Sequence, residues 1–204
     1  MNRGIVIVAY GVKAHQAAKA CVDSIRAVCD LHITIITESL NIKGTHSIFY
    51  KDNSFGVRDA KLNQDLLTDF DETLYMDADT VARKDIDGPF DALRNGFDIA
   101  LTYSRNQSNA AFAHIENQER AMTCEEVGLF PPLQFQAGVV YWKRNETTER
   151  LFSEWRKQWS RWRKQDQAAL VRAIEIVQPH VWLLGYPYND MDGEVIRHDF
   201  GKAR

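Results

Sequence analysis

The chain has 204 residues, 45% of them hydrophobic, which is enough for one core and too few for two ordinary domains, so a single domain over 1–204 is expected. Its formal net charge of −3 removes the global electrostatic reason to expect a nucleic-acid partner, and a small anionic ligand would need local donors or a metal. No segment has the basic, apolar, small-residue order of a signal peptide, and no apolar run reaches the roughly 20 residues of a membrane span, which points to a cytoplasmic protein.

Ile5 to Ala9 is a continuous Ile/Val-rich run, the pattern of a strand buried on both faces of a mostly parallel sheet. After Gly11, the apolar positions Ala17, Cys21, Ile25 and Val28 predict an amphipathic helix to about Cys29, and Leu31 to Thr37 a second strand. This βαβ opening puts the turn after Ala9 at the carboxyl end of a strand, where open α/β sheets bind ligands. His46 to Tyr50 reads as a short strand, and 57–69 as a helix with Ala60, Leu62, Leu66 and Leu67 inward. Thr73 to Met76 is a brief buried strand that delivers Asp77 at its end. A short helix near Phe90 to Arg94 and a strand from Asp98 to Tyr103 follow. From Ser104 to Leu133 the periodicity fails, and Gly128 with Pro131-Pro132 predicts loops and short helices. Gln136 to Lys143 is strand-like, helices are expected over 147–163 and 165–177, and Trp182 to Leu184 adds a last strand before a polar tail.

Asp77 and Asp79 stand one residue apart directly after an apolar strand. Two hard oxygen donors aimed from a strand end suit Mg²⁺ or Mn²⁺, which can bridge diphosphate oxygens and neutralise charge on a departing nucleotide. The plainer reading is a turn in which one Asp caps the next helix. In the tail, His198, Gly201 and Lys202 sit together: an imidazole can complete a metal site, glycine lets backbone approach phosphate, and lysine adds a mobile positive charge. Mixed oxygen and nitrogen ligation favours Mn²⁺ over Mg²⁺.

These segments resemble the glycogenin-like family of retaining glycosyltransferases, which includes bacterial lipopolysaccharide galactosyltransferases and has the GT-A fold, a Rossmann-like, mostly parallel sheet flanked by helices. Met76-Asp77-Ala78-Asp79-Thr80 is similar to the family's metal motif, and Asp85-Ile86-Asp87 with Phe90 to the segment after it. Phe135-Gln136-Ala137-Gly138-Val139 resembles its strand beside the donor sugar, and Asp166-Gln167 its Asp-Gln pair beside the same sugar. His198 and Gly201 match its His-x-x-Gly, the third metal ligand and the diphosphate contact. The resemblance implies a UDP-hexose donor, UDP-glucose or UDP-galactose, held over Mn²⁺ or Mg²⁺ by Asp77, Asp79 and His198. Asp166 and Gln167 would be catalytic. Ala9, Tyr10 and Gly11 would line the base, with Lys61, Ala78, Gln136, Ala137, Gly138, Gly201 and Lys202 on the rest of the donor. The chain departs from the family where Gln136 replaces the usual Asn and where Lys202 directly follows Gly201, and no Lys-Pro-Trp appears through Arg204, which bears on closure over the diphosphate.

Phe152, Trp155, Trp159 and Trp162 at helical spacing read as core, with a membrane-surface or anionic-acceptor contact as the lesser reading of the interleaved Arg and Lys. Cys21 and Cys29, about two helical turns apart, read as core thiols too distant for a disulfide, and Cys124 has no His near it in sequence. His15, His32, His46, His114 and His180 read as structural or solvated. Two rivals remain at this level. Asp77-Ala78-Asp79-Thr80-Val81 also resembles the Asp-x-Asp-x-Thr/Val pattern of haloacid-dehalogenase-like phosphatases, with Asp77 as nucleophile, although that motif normally lies on the first strand. The other is a nucleotide-binding module without turnover.

Overall fold

The computed structural model describes residues 2–51, 56–104, 115–128 and 133–201. Strand β1 (Arg3–Ala9) sends Val6 and Val8 to one face of the sheet and Ile5, Ile7 and Ala9 to the other, all of them buried. This is what its unbroken apolar run requires. Helix α1 (Val12–Arg26) packs Ala14, Ala18, Cys21, Val22 and Ile25 inward. It stops short of Cys29, because the Arg26 guanidinium donates to the carbonyls of Leu31 and Gly44 and turns the chain into β2 (His32–Thr37). Cys21 is fully buried, which pushes its thiol up to about 12, and Cys29 is half-buried.

Strand β3 (His46–Phe49) is followed by α2 (Val57–Leu62) and α3 (Gln64–Leu67) where the periodicity predicts one helix. The break falls at Asn63, whose side-chain amide donates to the Asp59 carbonyl, a local bond that competes with helix continuation. The bend leaves Leu66 exposed instead of inward. Next come β4 (Glu72–Asp77), β5 (Thr80–Ala82), α4 (Gly88–Arg94) and β6 (Ile99–Tyr103). Helix α5 (Asn117–Glu126) occupies part of the stretch read as irregular, whose Pro131-Pro132 pair lies outside the described residues. Strand β7 (Phe135–Lys143) leads into α6 (Glu146–Ser160), which starts on a reciprocal cap between Asn145 and Thr148. Helix α7 (Gln167–Val177) ends on Gln178 in the left-handed conformation at φ 53°. Strand β8 (Val181–Leu184), a 3₁₀ turn at Tyr186–Tyr188 and β9 (Ile196–His198) complete the order.

Among the described residues, seven strands form one sheet in the order β3-β2-β1-β4-β7-β6-β8. The β1–β2, β2–β3, β1–β4 and β6–β8 pairs are parallel, whereas β7 runs antiparallel to both β4 and β6. Helices α1 and α4 cover one face and α2, α6 and α7 the other. The chain leaves the β1–β3 side of the sheet and returns on the far side of β1 as β4. The carboxyl ends of β1 and β4 therefore flank the switch point where open α/β sheets bind ligands. Two insertions complete that end. Antiparallel β7 sets Val139 opposite Met76, so that Gly138 arrives beside Asp77. The β5–β9 ribbon pairs Thr80 with His198 and carries the tail back onto the Asp77–Asp79 turn.

Phe152, Trp155 and Trp159 of α6 are buried, and Trp162, two residues past its end, is half-buried. Basic residues interleaved with them are paired: Arg156 with Asp65, Lys157 with Glu154, Arg161 with Glu126 and Lys164 with Glu116. The stripe is core, as its spacing predicts. Among the described residues, no helix is long and apolar enough to cross a membrane.

Candidate active site

Strand β4 alternates faces, so Tyr75 and Asp77 lie on the same side of the sheet. The Tyr75 hydroxyl donates to Asp77 Oδ1 at 2.6 Å, and the Lys61 ammonium, rising from α2, donates to the same oxygen at 3.3 Å. This leaves Asp77 Oδ2 to face His198 Nε2 at 3.7 Å. Asp79 Oδ2 accepts the Gly201 N–H at 2.8 Å, and its Oδ1 lies 3.2 Å from the same His198 nitrogen. Nδ1 of His198 is 2.7 Å from the side-chain oxygen of Asn189. One donor atom from each of Asp77, Asp79 and His198 thus converges within 4.8 Å of the other two.

The donor set suits a divalent cation. Two carboxylates and one imidazole supply hard oxygens with one borderline nitrogen, and the atoms turned away from the centre are held by Tyr75, Gly201 and Asn189. Gly138 forms the wall: a Cβ there would collide with the His198 ring and lie 2.9 Å from Asp77 Oδ2. Gly138→Ala is therefore expected to weaken divalent-cation affinity about tenfold or more with the fold retained, as checked by Mn²⁺ titration alongside circular dichroism.

Beyond this centre lies a charged relay. Lys61 is buried and its ammonium reaches Asp166 Oδ2 at 3.0 Å, while Arg58 stands 3.7 Å from Asp166 Oδ1. Burial works against both charges, but each outweighs it for the other. The carboxylates of Asp166 and Asp77 hold the Lys61 pKa above the ordinary lysine value. The Lys61 and Arg58 cations hold the Asp166 carboxyl below the ordinary range. The buried tryptophan stripe contributes here as well, since the Trp155 indole N–H donates to the Asp166 carbonyl at 2.9 Å and fixes the start of α7. Gln167, next along, donates its amide N–H to Gln136 Oε1 at 3.0 Å.

All of these groups except Trp155 and Asn189 face one cavity of about 540 Å³, within the range of ligand sites. Tyr10 also lines it, its hydroxyl donating to the Tyr50 carbonyl at 2.7 Å. Ser104, Gln134, Gln136 and Gln167 add neutral hydrogen-bonding groups to the lining.

Among solved structures, the galactosyltransferase LgtC in complex with donor and acceptor sugar analogs is similar at a TM-score of 0.65 and 15% identity, over 97% of this chain and 87% of that one. The bifunctional glycosyltransferase WbbM aligns at 0.69 and 16% identity, over 92% of this chain and 39% of that one. Mouse xyloside xylosyltransferase 1 aligns at 0.66 and 11% identity, over 100% and 99% of the two chains. The fold is GT-A. No protein-family model and no curated protein matches the chain.

Within this GT-A fold, the cavity gathers Tyr10, Lys61, Asp77, Ala78, Asp79, Gln136, Ala137, Gly138, Asp166, Gln167, His198 and Gly201 of the residues singled out from sequence. Ala9 does not reach it: the strand alternation that points Val8 at the cavity buries Ala9 in the opposite core. Gly11 also lies off the lining, and its N–H donates to Glu38 Oε1 at 2.7 Å, where Glu38 also meets His15. Lys202 falls outside the described residues. Sequence reasoning passed over Tyr75, Ser104, Gln134 and Phe200, which line the cavity, and the structure also puts Arg58 there, beside Asp166. The Phe200 ring stacks on His198 with centroids 4.0 Å apart. Tyr75 had a signal, since it stands two residues before Asp77 on a strand. Phe200 lay inside the His198 to Lys202 run itself.

Proposed function

We propose that the chain, acting as one catalytic unit over 1–204, is a metal-dependent glycosyltransferase that takes a hexose from a nucleotide-diphosphate sugar, UDP-glucose or UDP-galactose, and passes it with retention to an acceptor hydroxyl. The observation that carries this reading is the convergence of Asp77, Asp79 and His198 on the cavity that also holds the Lys61–Asp166 pair and Gln167. That LgtC was solved with donor and acceptor sugar analogs supports the substrate class.

The charge of the site argues for a metal. Among the described lining residues, Asp77, Asp79 and Asp166 outnumber Arg58 and Lys61 by one negative charge, so a diphosphate meets net repulsion until a dication is present. Mn²⁺ or Mg²⁺ held by Asp77, Asp79 and His198 would supply the counter-charge for the departing nucleotide diphosphate. The chain's own residues do the remainder. Tyr10 offers its ring to the base. The Gly201 backbone, at φ 86° and free of a Cβ, lets the tail approach phosphate. Asp166, held ionised by Lys61 and Arg58, accepts hydrogen bonds from sugar hydroxyls, and Gln167, steadied by Gln136, presents its carbonyl oxygen to the reacting carbon. A phosphatase built on Asp77 has no use for His198 beside the two aspartates. A module without turnover leaves the Lys61 link between Asp77 and Asp166 idle.

The test is calorimetric binding of UDP, GDP and UDP-glucose with and without Mn²⁺, then slow donor hydrolysis followed by NMR. Metal-dependent UDP binding with release of the α-anomer is expected. Equal affinity in excess chelator, or no nucleotide binding with any metal, would sink the reading.

A further inference from the structure

We infer that Asn189 is a positioning residue for His198: its side-chain oxygen holds the imidazole proton on Nδ1 and so keeps Nε2 free for the cation. The inference rests on the metal reading above and adds a residue to it. Asn189 follows the turn at Tyr186–Tyr188, is 1% exposed and lies behind the cavity lining. Its Oδ1 is 2.7 Å from His198 Nδ1. An amide oxygen can only accept, so Nδ1 is the donor in that bond. In the tautomer that carries its proton there, Nε2 offers its lone pair on the side of Asp77 Oδ2 and Asp79 Oδ1. Without Asn189, the best bond left to the ring in this pocket runs from Nε2–H to Asp79 at 3.2 Å, which puts a proton where the cation must bind.

The His198 backbone is placed by other means, through its N–H to the Asp190 carbonyl at 2.9 Å and its register opposite Thr80. Asn189 therefore governs tautomer and ring orientation, not strand position. A second observation separates this role from plain packing: Asn189 Nδ2 is buried and has no hydrogen-bond partner among the described residues. A buried amide that leaves a donor unmet costs stability, so the fold alone gives no reason to keep it. Tyr75 holds the outer oxygen of Asp77 and Gly201 that of Asp79. Asn189 supplies the outer partner of the third ligand, and such partners set metal affinity as well as geometry.

The test compares the wild-type chain, Asn189→Asp and Asn189→Leu. Mn²⁺ binding is read from the EPR signal of the free ion without nucleotide, and the His198 tautomer of the metal-free protein from imidazole ¹⁵N shifts. The proton is expected on Nδ1 in wild type and Asn189→Asp and on Nε2 in Asn189→Leu. Mn²⁺ affinity should be kept by Asn189→Asp and fall about 10- to 100-fold in Asn189→Leu. A wild-type His198 protonated on Nε2, or an Asn189→Leu chain that binds Mn²⁺ as tightly as wild type, overturns the inference and leaves the transferase reading standing. A wild-type chain that binds no Mn²⁺ overturns the transferase reading instead, and its tautomer still decides the Asn189 assignment. That wild-type measurement also keeps the test decisive if Asn189→Leu does not fold.

Discussion

Asp79→Ala should abolish metal-dependent UDP binding, with a loss of more than about 100-fold in Mn²⁺ affinity, because it removes a ligand outright and not merely a ligand's partner. The substitution also frees the Gly201 N–H that docks the tail on Asp79 Oδ2, so part of any loss of nucleotide affinity would come from the tail. His198→Ala separates the two effects. It removes a ligand from the same centre while leaving the Asp79–Gly201 bond in place, and it should lose Mn²⁺ affinity to a similar degree. Thermal unfolding gives an independent readout. A cation that binds only the folded chain stabilises it by about 2.7 kcal/mol at 100 times its Kd, and neither variant should show that upward shift in Tm. A variant that keeps the Mn²⁺ shift would remove the corresponding ligand from the site.

The aspartate pair was legible because two features coincide at one place, a run of apolar residues ending in carboxylates. A strand that delivers ligands from its end needs nothing from elsewhere in the chain to be read. His198 was legible as a possible ligand from its own tail, and its partnership with the two aspartates only through resemblance. The β5–β9 ribbon that brings it home consists of strands of three residues, too short for any periodicity to register, and its register opposite Thr80 is a tertiary fact. Helix boundaries failed where a side chain competes with the helix, as at Asn63, or where a guanidinium gathers carbonyls beyond the helix end, as at Arg26. Arg58 and Lys61 illustrate a different limit. On α2 they look like a solvated basic face, and only the approach of α7 from the far end of the chain turns that face into the cage of Asp166. Asn189 carried no local pattern at all.

Lys61 carries the second large expected effect, because it joins Asp77 to Asp166. In Lys61→Met, the Asp166 carboxylate stays buried with Arg58 at 3.7 Å as its remaining ionic partner, and Asp77 loses a donor. Removing one member of a buried pair costs about 3–5 kcal/mol, which urea unfolding at neutral pH should register. The pH dependence supplies a sharper test. In the wild type the Asp166 pKa lies below its unfolded value. Its contribution is therefore present above the unfolded carboxylate pKa of about 3.9 and is lost as the pH falls through the depressed folded value. Lys61 has a raised pKa, so its contribution is full below about 10.4 and is lost as the pH rises through the folded value. In Lys61→Met, burial acts on Asp166 with less to oppose it and raises the carboxyl, so the variant loses stability as the pH climbs out of the acid range. The stability gap between the two proteins should widen from about pH 3 to pH 7 and narrow again above about pH 10. A gap that stays constant with pH would mean that Asp166 does not depend on Lys61 for its charge, which Arg58 would then hold.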